Sequence, residues 1–193
     1  MRNMIEEIEN LILNSSDIVK QSTTLSNKIE TVVKTVTKCL QNENKIIIFG
    51  NGGSAADAQH IAAEFIGRFK LERKSYPAIA LTTDTSILTS LSNDYSSDII
   101  FSRQCESLVS KEDVVIGIST SGNSKNVENG LLTAKEKGAI TIGLLGNHGG
   151  ALKNIVDIPI IVESTETPRI QEVHRVIYHV ICELVENELS KIK

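Results

Sequence analysis

Five short apolar stretches, at residues 45–49, 78–81, 114–118, 140–144 and 158–162, constrain this chain more than any other feature. They are too short for ordinary helices and about the usual length of a strand. Runs such as Ile46-Ile47-Ile48-Phe49 and Val114-Val115-Ile116 are apolar at consecutive positions, as strands are when both sheet faces are covered. Between them, helical patterns fall at 54–69, 85–91, 98–109 and 124–137, the last with Gly138 at its C-terminal cap. Strands alternating with helices require crossover connections, and crossovers make a parallel sheet. A further helix is expected over 167–192, with Thr167 as its cap and Pro168 in its first turn. The expected class is α/β, with a five-stranded parallel sheet.

The first forty residues read as helix: Ile5, Ile8, Leu11 and Ile12, then Leu25, Ile29, Val32, Val33, Val36 and Leu40, recur largely at three- and four-residue spacing. The run Gln41-Asn42-Glu43-Asn44 ends the pattern. The expected organisation is one domain, with 1–42 as a helical extension and 43–193 as the α/β core. Helices that precede the first strand are not crossovers, so their apolar faces need another partner. That partner is either the domain's own flank or the same helices of a second subunit, and subunit pairing is the expectation. The last helix supports it, because Ile170, Val173, Val176, Ile177, Val180, Ile181, Leu184 and Val185 make an apolar surface broad enough for two neighbours.

At 193 residues and 40% hydrophobic content, the chain can bury a sizeable core. A net charge of −4 gives no electrostatic footprint for nucleic acid. No apolar run approaches membrane-spanning length, and the acidic start Met1-Arg2-Asn3-Met4-Ile5-Glu6-Glu7 is unlike a signal peptide. Cys39, Cys105 and Cys182 are odd in number and widely spaced, which suggests neither a disulfide framework nor a cysteine zinc site. A reduced, cytoplasmic protein without membrane or nucleic-acid partners is expected.

Two strand-to-helix turns carry the first chemistry. Gly50-Asn51-Gly52-Gly53-Ser54 follows the first apolar stretch, and Ser119-Thr120-Ser121-Gly122-Asn123-Ser124 follows the third. Backbone N–H groups at a helix start are unpaired, and the helix dipole adds positive potential there. A phosphate is the usual guest, and the second turn adds the hydroxyls of Ser119, Thr120, Ser121 and Ser124. Neither turn has the lysine of a Walker loop, which argues against a nucleoside triphosphatase. Ordinary turns of an α/β protein are the plainer reading.

The second chemistry lies on two helices. His60 and Glu64 are four residues apart and share a helix face, a geometry suited to two ligands of one metal ion and equally to an exposed ion pair. Ala55, Ala56, Ala58, Ala62 and Ala63 keep that helix slim enough for other segments to approach. The last helix carries Gln171, His174, Tyr178 and His179. His174 is as easily a packing residue, and His148 lies in the turn Gly146-Asn147-His148-Gly149-Gly150; neither is assigned to the site.

Taken together, Gly50-Asn51-Gly52-Gly53-Ser54 with His60 and Glu64, the Ser119–Ser124 loop, and Arg169-Ile170-Gln171-Glu172-Val173-His174 with His179 resemble the bacterial phosphoheptose isomerases of the sugar-isomerase (SIS) family. The similarity covers nearly the whole chain. The serine loop alone marks only the broader family, and its combination with His60, Glu64, Gln171 and His179 is far more specific. The resemblance implies a flavodoxin-like three-layer αβα sandwich, a homotetramer, and active sites at subunit interfaces. It implies isomerisation of sedoheptulose 7-phosphate to D-glycero-D-manno-heptose 7-phosphate, an entry step to surface-polysaccharide heptoses. It assigns one zinc ion per subunit to His60, Glu64, Gln171 and His179. It assigns substrate contacts to Asn51, Gly52, Gly53, Ser54, Glu64, Asn93, Asp94, Ser119, Thr120, Ser121, Ser124 and Gln171. Pro168 departs from the small residue often found there, and a first helical turn tolerates it.

The residue types suit the reaction. A carboxylate can carry a proton between adjacent carbons through an enediol, and an imidazole can serve the two oxygens; Glu64 and His179 are the expected pair. Gln171 and His179 lie about 12 Å apart along a helix axis and roughly 80° around it. Either the ion sits over the intervening turn near Arg175 or the ligands come from different chains, and His179 is the residue expected from a neighbour. Two other classes are weighed. A nicotinamide enzyme lacks its third glycine here, with Glu72 and Asp84 misplaced for ribose. A non-enzymatic SIS scaffold or phosphosugar binder needs no acid–base pair, whereas Glu64 and His179 are both present.

Overall fold

All five apolar stretches form strands: β1 (Ile46–Gly50), β2 (Ala78–Ala80), β3 (Val114–Ser119), β4 (Ile140–Leu145) and β5 (Ile158–Ile161). They pair in parallel in the order β2-β1-β3-β4-β5, with Ile46 opposite Ala78 on one side and Val114 on the other. The computed structural model describes residues 3–191; Met1, Arg2 and Ile192, the expected end of the last helix, lie outside them.

The helices are α1 (Met4–Gln21), α2 (Ser26–Gln41), α3 (Gly53–Ile66), α4 (Thr85–Asp94), α5 (Ser102–Leu108), α6 (Lys125–Glu136) and α7 (Thr167–Ser190). Side chains alternate along β1 as a strand's twofold period demands. Ile46 and Ile48 join the core shared with α2, α3 and α7, while Ile47 and Phe49 join the core shared with α5 and α6. Helices therefore cover both faces, which is why the strands are apolar throughout.

Several element ends differ from the sequence reading. The N-terminal helices are two, as expected, and the join between them, Ser22–Leu25, is a tighter 3-10 turn. The hydroxyls of Ser22, Thr23, Thr24 and Ser26 bond back to the carbonyls of Val19, Lys20, Gln21 and Thr23, and such bonding competes with regular helix. The helix expected over 98–109 is a 3-10 turn, Ser97–Ile99, followed by the short α5. Thr167 opens α7 rather than capping it; Glu166 holds the cap position without a side-chain bond. Asp84, misplaced for a ribose, instead caps α4, its carboxylate accepting from Ile87 N at 3.0 Å.

The two N-terminal helices have different fates. Val32, Val33, Val36, Cys39 and Leu40 of α2 are buried on the domain's own flank. No residue of α1 is buried, and Met4, Ile5, Ile8, Leu11, Ile12 and Leu13 are all exposed. On α7, Val176, Val180 and Leu184 also remain exposed. The three cysteines are free and buried, and burial pushes Cys105 and Cys182 up to about 12, leaving inert thiols. Among the described residues, no helix is long and apolar enough to cross a membrane.

His174 is the packing residue the sequence allowed. It is fully buried, its Nε2–H donates to Leu145 O at 3.1 Å, and its Nδ1 has no partner. Burial pushes its imidazole from 6.5 down to about 4. The unfolded chain therefore takes up a proton that the folded chain refuses, so the stabilisation is complete above pH 6.5 and is lost as pH falls toward 4. Wild type should lose about 3 kcal/mol more stability over that interval than His174→Gln. Urea unfolding at the two pH values checks this, and equal losses would overturn it.

Candidate active site

The strand order turns back at β1, whose neighbours β2 and β3 lead away in opposite directions. In open parallel sheets, ligands bind at the carboxyl ends of strands beside such a switch point. Both glycine- and serine-rich turns leave the sheet there, after β1 and β3.

The second turn gathers its hydroxyls as the sequence reading required. Ser124 holds the cap position of α6 but makes no capping bond. Its Oγ instead lies 2.9 Å from Ser119 Oγ, which lies 3.4 Å from Ser121 Oγ. The turn is fixed by Gly122 at φ +66°, whose N–H donates to Ser119 Oγ at 3.1 Å. A side chain on Gly122 would collide with the backbone of Gly149 and Gly150. Thr120 is half-buried beside this cluster.

The first turn is tied to the second by a reciprocal amide pair. Asn51 Nδ2 donates to Asn126 Oδ1 at 2.8 Å, and Asn126 Nδ2 donates to Asn51 Oδ1 at 3.0 Å. Gly52 precedes α3 at φ +54°, and Gly53 and the buried Ser54 form its first turn. A side chain on Gly53 would strike the amide of Gln171, which packs against it. Two helix starts and a group of hydroxyls thus lie at one end of the sheet, a donor-rich setting for an oxyanion.

Further along α3, His60 Nε2 lies 2.9 Å from Glu64 Oε1. The His179 ring stands edge-on to His60, with centroids 5.2 Å apart. One ligand atom from each of His60, Glu64 and His179 lies within 4.8 Å of the others. Two imidazoles and a carboxylate are a donor set found in catalytic zinc sites, and the open approach leaves room for substrate: the His60 and Glu64 side chains are 42% and 20% exposed. Burial, then the neighbouring His60, holds His179 below the ordinary imidazole range, which keeps it a neutral acceptor.

This trio corrects one expectation. His179 does not need to come from a neighbour, because α3 and α7 lie side by side with matching advance: Gln171 meets Gly53, Arg175 meets Asp57, and His179 meets His60. The same register separates Gln171 from the trio. Its amide stands at the head of α3, about 10 Å along the axis from His60. Asn93 and Asp94 lie at the exposed end of α4, with Asn93 Nδ2 donating to Asp94 Oδ1 at 2.8 Å. No hydrogen bond of the described residues joins that pair to the turns or to the trio. His148 is exposed, with its Nδ1 3.4 Å from Glu163 Oε2.

Sequence reasoning does not single out Asn126 or Asp57. Asn126 is 75 positions from Asn51, and only the fold brings them together. Asp57 stands three residues before His60 in an alanine-rich run, a local signal that this face is covered.

The chain matches the SIS domain family over residues 12–146. A phosphoheptose isomerase from Geotalea daltonii is 54% identical over 187 residues, 96% of this chain and 97% of its own length. Two solved phosphoheptose isomerases share the fold. The Neisseria gonorrhoeae structure aligns with a TM-score of 0.91 at 37% identity, covering 96% of this chain and 100% of that one. The Francisella tularensis structure aligns at 0.92 and 31% identity, covering 96% and 99%. The chain belongs to the phosphoheptose isomerase family. It is an aldose–ketose isomerase of the SIS class, with the flavodoxin-like strand order expected of it.

Proposed function

We propose that the chain converts sedoheptulose 7-phosphate into D-glycero-D-manno-heptose 7-phosphate, supplying heptose for nucleotide-activated precursors of lipopolysaccharide or capsule. The observation that carries this reading is the His60–Glu64–His179 trio on the same two helices whose other end meets the serine turn. A phosphosugar has its phosphate at one end and its reacting carbons at the other, and the two groups of side chains match that polarity.

At the phosphate end, Ser119, Thr120, Ser121 and Ser124 donate hydroxyls, and Asn51, Gly52, Gly53 and Ser54 present the start of α3. Gln171, packed on Gly53, contacts the sugar between the two ends. Asn93 and Asp94 remain proposed substrate contacts. At the reacting end, Glu64 takes the proton from C1 of the ketose and returns it to C2, through an enediol. His179, held neutral, moves the second proton from the oxygen on C1 to the oxygen on C2.

The donor set of the trio fits a divalent ion such as zinc, one per subunit; the Gln171 that the resemblance implies as a fourth ligand stands about 10 Å along α3 from His60 and does not reach that ion within one chain. When bound, the ion supplies polarisation of the carbonyl and stabilisation of charge on the oxygens. Glu64 has two carboxylate oxygens, so one can face a cation while the other faces the carbon-bound proton. The exposed apolar row of α1, with Val176, Val180 and Leu184 of α7, supports a homotetramer. Work in the cytoplasm is part of this proposal; the net charge of −4 agrees with it, and among the described residues no helix is long and apolar enough to cross a membrane.

The deciding assay compares sedoheptulose 7-phosphate with fructose 6-phosphate, each with and without chelator. Turnover of the heptulose, abolished by chelator and restored by zinc, is the expected result. A folded, zinc-supplemented protein inactive on both sugars would favour a non-enzymatic phosphosugar binder or scaffold.

A further inference from the structure

His60 has two ring nitrogens, and only Nε2 faces the trio. Its Nδ1 lies 3.1 Å from the hydroxyl of Tyr178. That hydroxyl lies 3.3 Å from Asp57 Oδ1, which also accepts from Arg175 Nη2 at 2.9 Å. Arg175 Nε in turn donates to the Tyr178 oxygen at 3.2 Å. Asp57 and Tyr178 are each only 1% exposed, so water does not replace these bonds.

Proton counting fixes their direction. A carboxylate paired with a guanidinium only accepts, a guanidinium only donates, and a phenol has one proton to give. If Tyr178 gave its proton to His60 Nδ1, two bare oxygens would face each other at 3.3 Å in a buried setting. Giving it to Asp57 satisfies every group: the phenol oxygen then accepts from Arg175 Nε and from a protonated His60 Nδ1.

We infer that Tyr178 and Asp57 are positioning residues that lock His60 in the Nδ1–H tautomer and aim a bare Nε2 at Glu64 and His179. His60 Nε2 and Glu64 Oε1, 2.9 Å apart, are then two acceptors that attract each other only through a shared cation. The pair thus acts as the outer support of the ligand set, the arrangement that sets ring orientation and basicity in metal-binding histidines. This rests on the metal reading above, and the test separates the two.

The chain has four histidines, so ring nitrogens can be followed by NMR in zinc-loaded protein labelled with ¹⁵N-histidine. The expected wild-type signature for His60 is a zinc-bound Nε2 and an Nδ1–H protected from exchange with water, the protection being lost in Tyr178→Phe. Zinc affinity, read by competition with a chromophoric chelator, should fall about 10–100-fold in the same variant while its melting temperature stays close to wild type. Asp57→Asn should weaken the Nδ1–H protection in the same way, and Tyr178→Phe decides the matter if Asp57→Asn fails to fold. A zinc-bound Nδ1 in wild type, or unchanged Nδ1–H protection and zinc affinity in folded Tyr178→Phe, would overturn the inference. Wild type that binds no zinc would instead overturn the metal reading.

Discussion

Glu64→Gln should fold normally and lose about 10²–10⁴-fold in kcat, the usual contribution of a positioned general base. Glutamine keeps the length and planarity of the side chain and can still bond to His60, 2.9 Å away. What it loses is the negative charge and the ability to accept a proton from carbon. Because the same side chain is a proposed metal ligand, zinc content has to be measured beside kcat. Zinc retained with kcat lost assigns the proton transfer to Glu64, and zinc lost with kcat traces the loss of rate to loss of the ion. Near-normal kcat with zinc bound would remove Glu64 from the mechanism.

The sheet was legible because each strand is a short apolar run between helical patterns, and burial on both faces leaves no other economical arrangement. The serine turn was legible for a related reason: small and hydroxylated residues between a strand and a helix have few structural uses. The ends of α5 and α7 were not, since Ser97, Ser102, Glu166 and Thr167 each suit a cap or a first turn and local bonding decides. The trio was only half legible. The spacing of His60 and Glu64 places them on one face, but the source of His179 depends on how α7 advances beside α3. A pitch argument within one helix carries no information about that register, and so it sent His179 to a neighbour. Asn126 and Asp57 escaped notice because their roles consist entirely of contacts with distant parts of the chain.

The largest effect on stability is expected far from the reacting carbons, at Glu186. This carboxylate, 2% exposed on α7, accepts from the N–H groups of Phe69, Lys70 and Leu71 at 2.9, 2.7 and 2.8 Å, and from Arg73 Nε at 2.9 Å. Arg73 lies over the Tyr76 ring, and its other nitrogens donate to the carbonyls of Phe65 and Glu64 at 2.8 and 2.7 Å. One buried carboxylate thus pins the segment after α3 and, through Arg73, the last turn carrying Glu64. Glu186→Gln leaves the guanidinium buried without its counter-charge and turns an amide NH₂ toward backbone donors. Breaking a buried pair this way costs about 3–5 kcal/mol, which for a chain of this size lowers Tm by about 6–20 °C. The pH dependence supplies a second check. Burial pushes the Glu186 carboxyl up, but the three N–H groups and Arg73 together outweigh it and hold the group below its ordinary value. Its stabilisation is therefore present above about pH 4.3 and is lost as pH falls through the lower folded value. The Tm gap between wild type and Glu186→Gln should be widest near neutrality and close in acid, where the wild-type carboxyl also becomes neutral. A gap that persists unchanged below pH 3 would show that shape, not charge, makes the residue necessary.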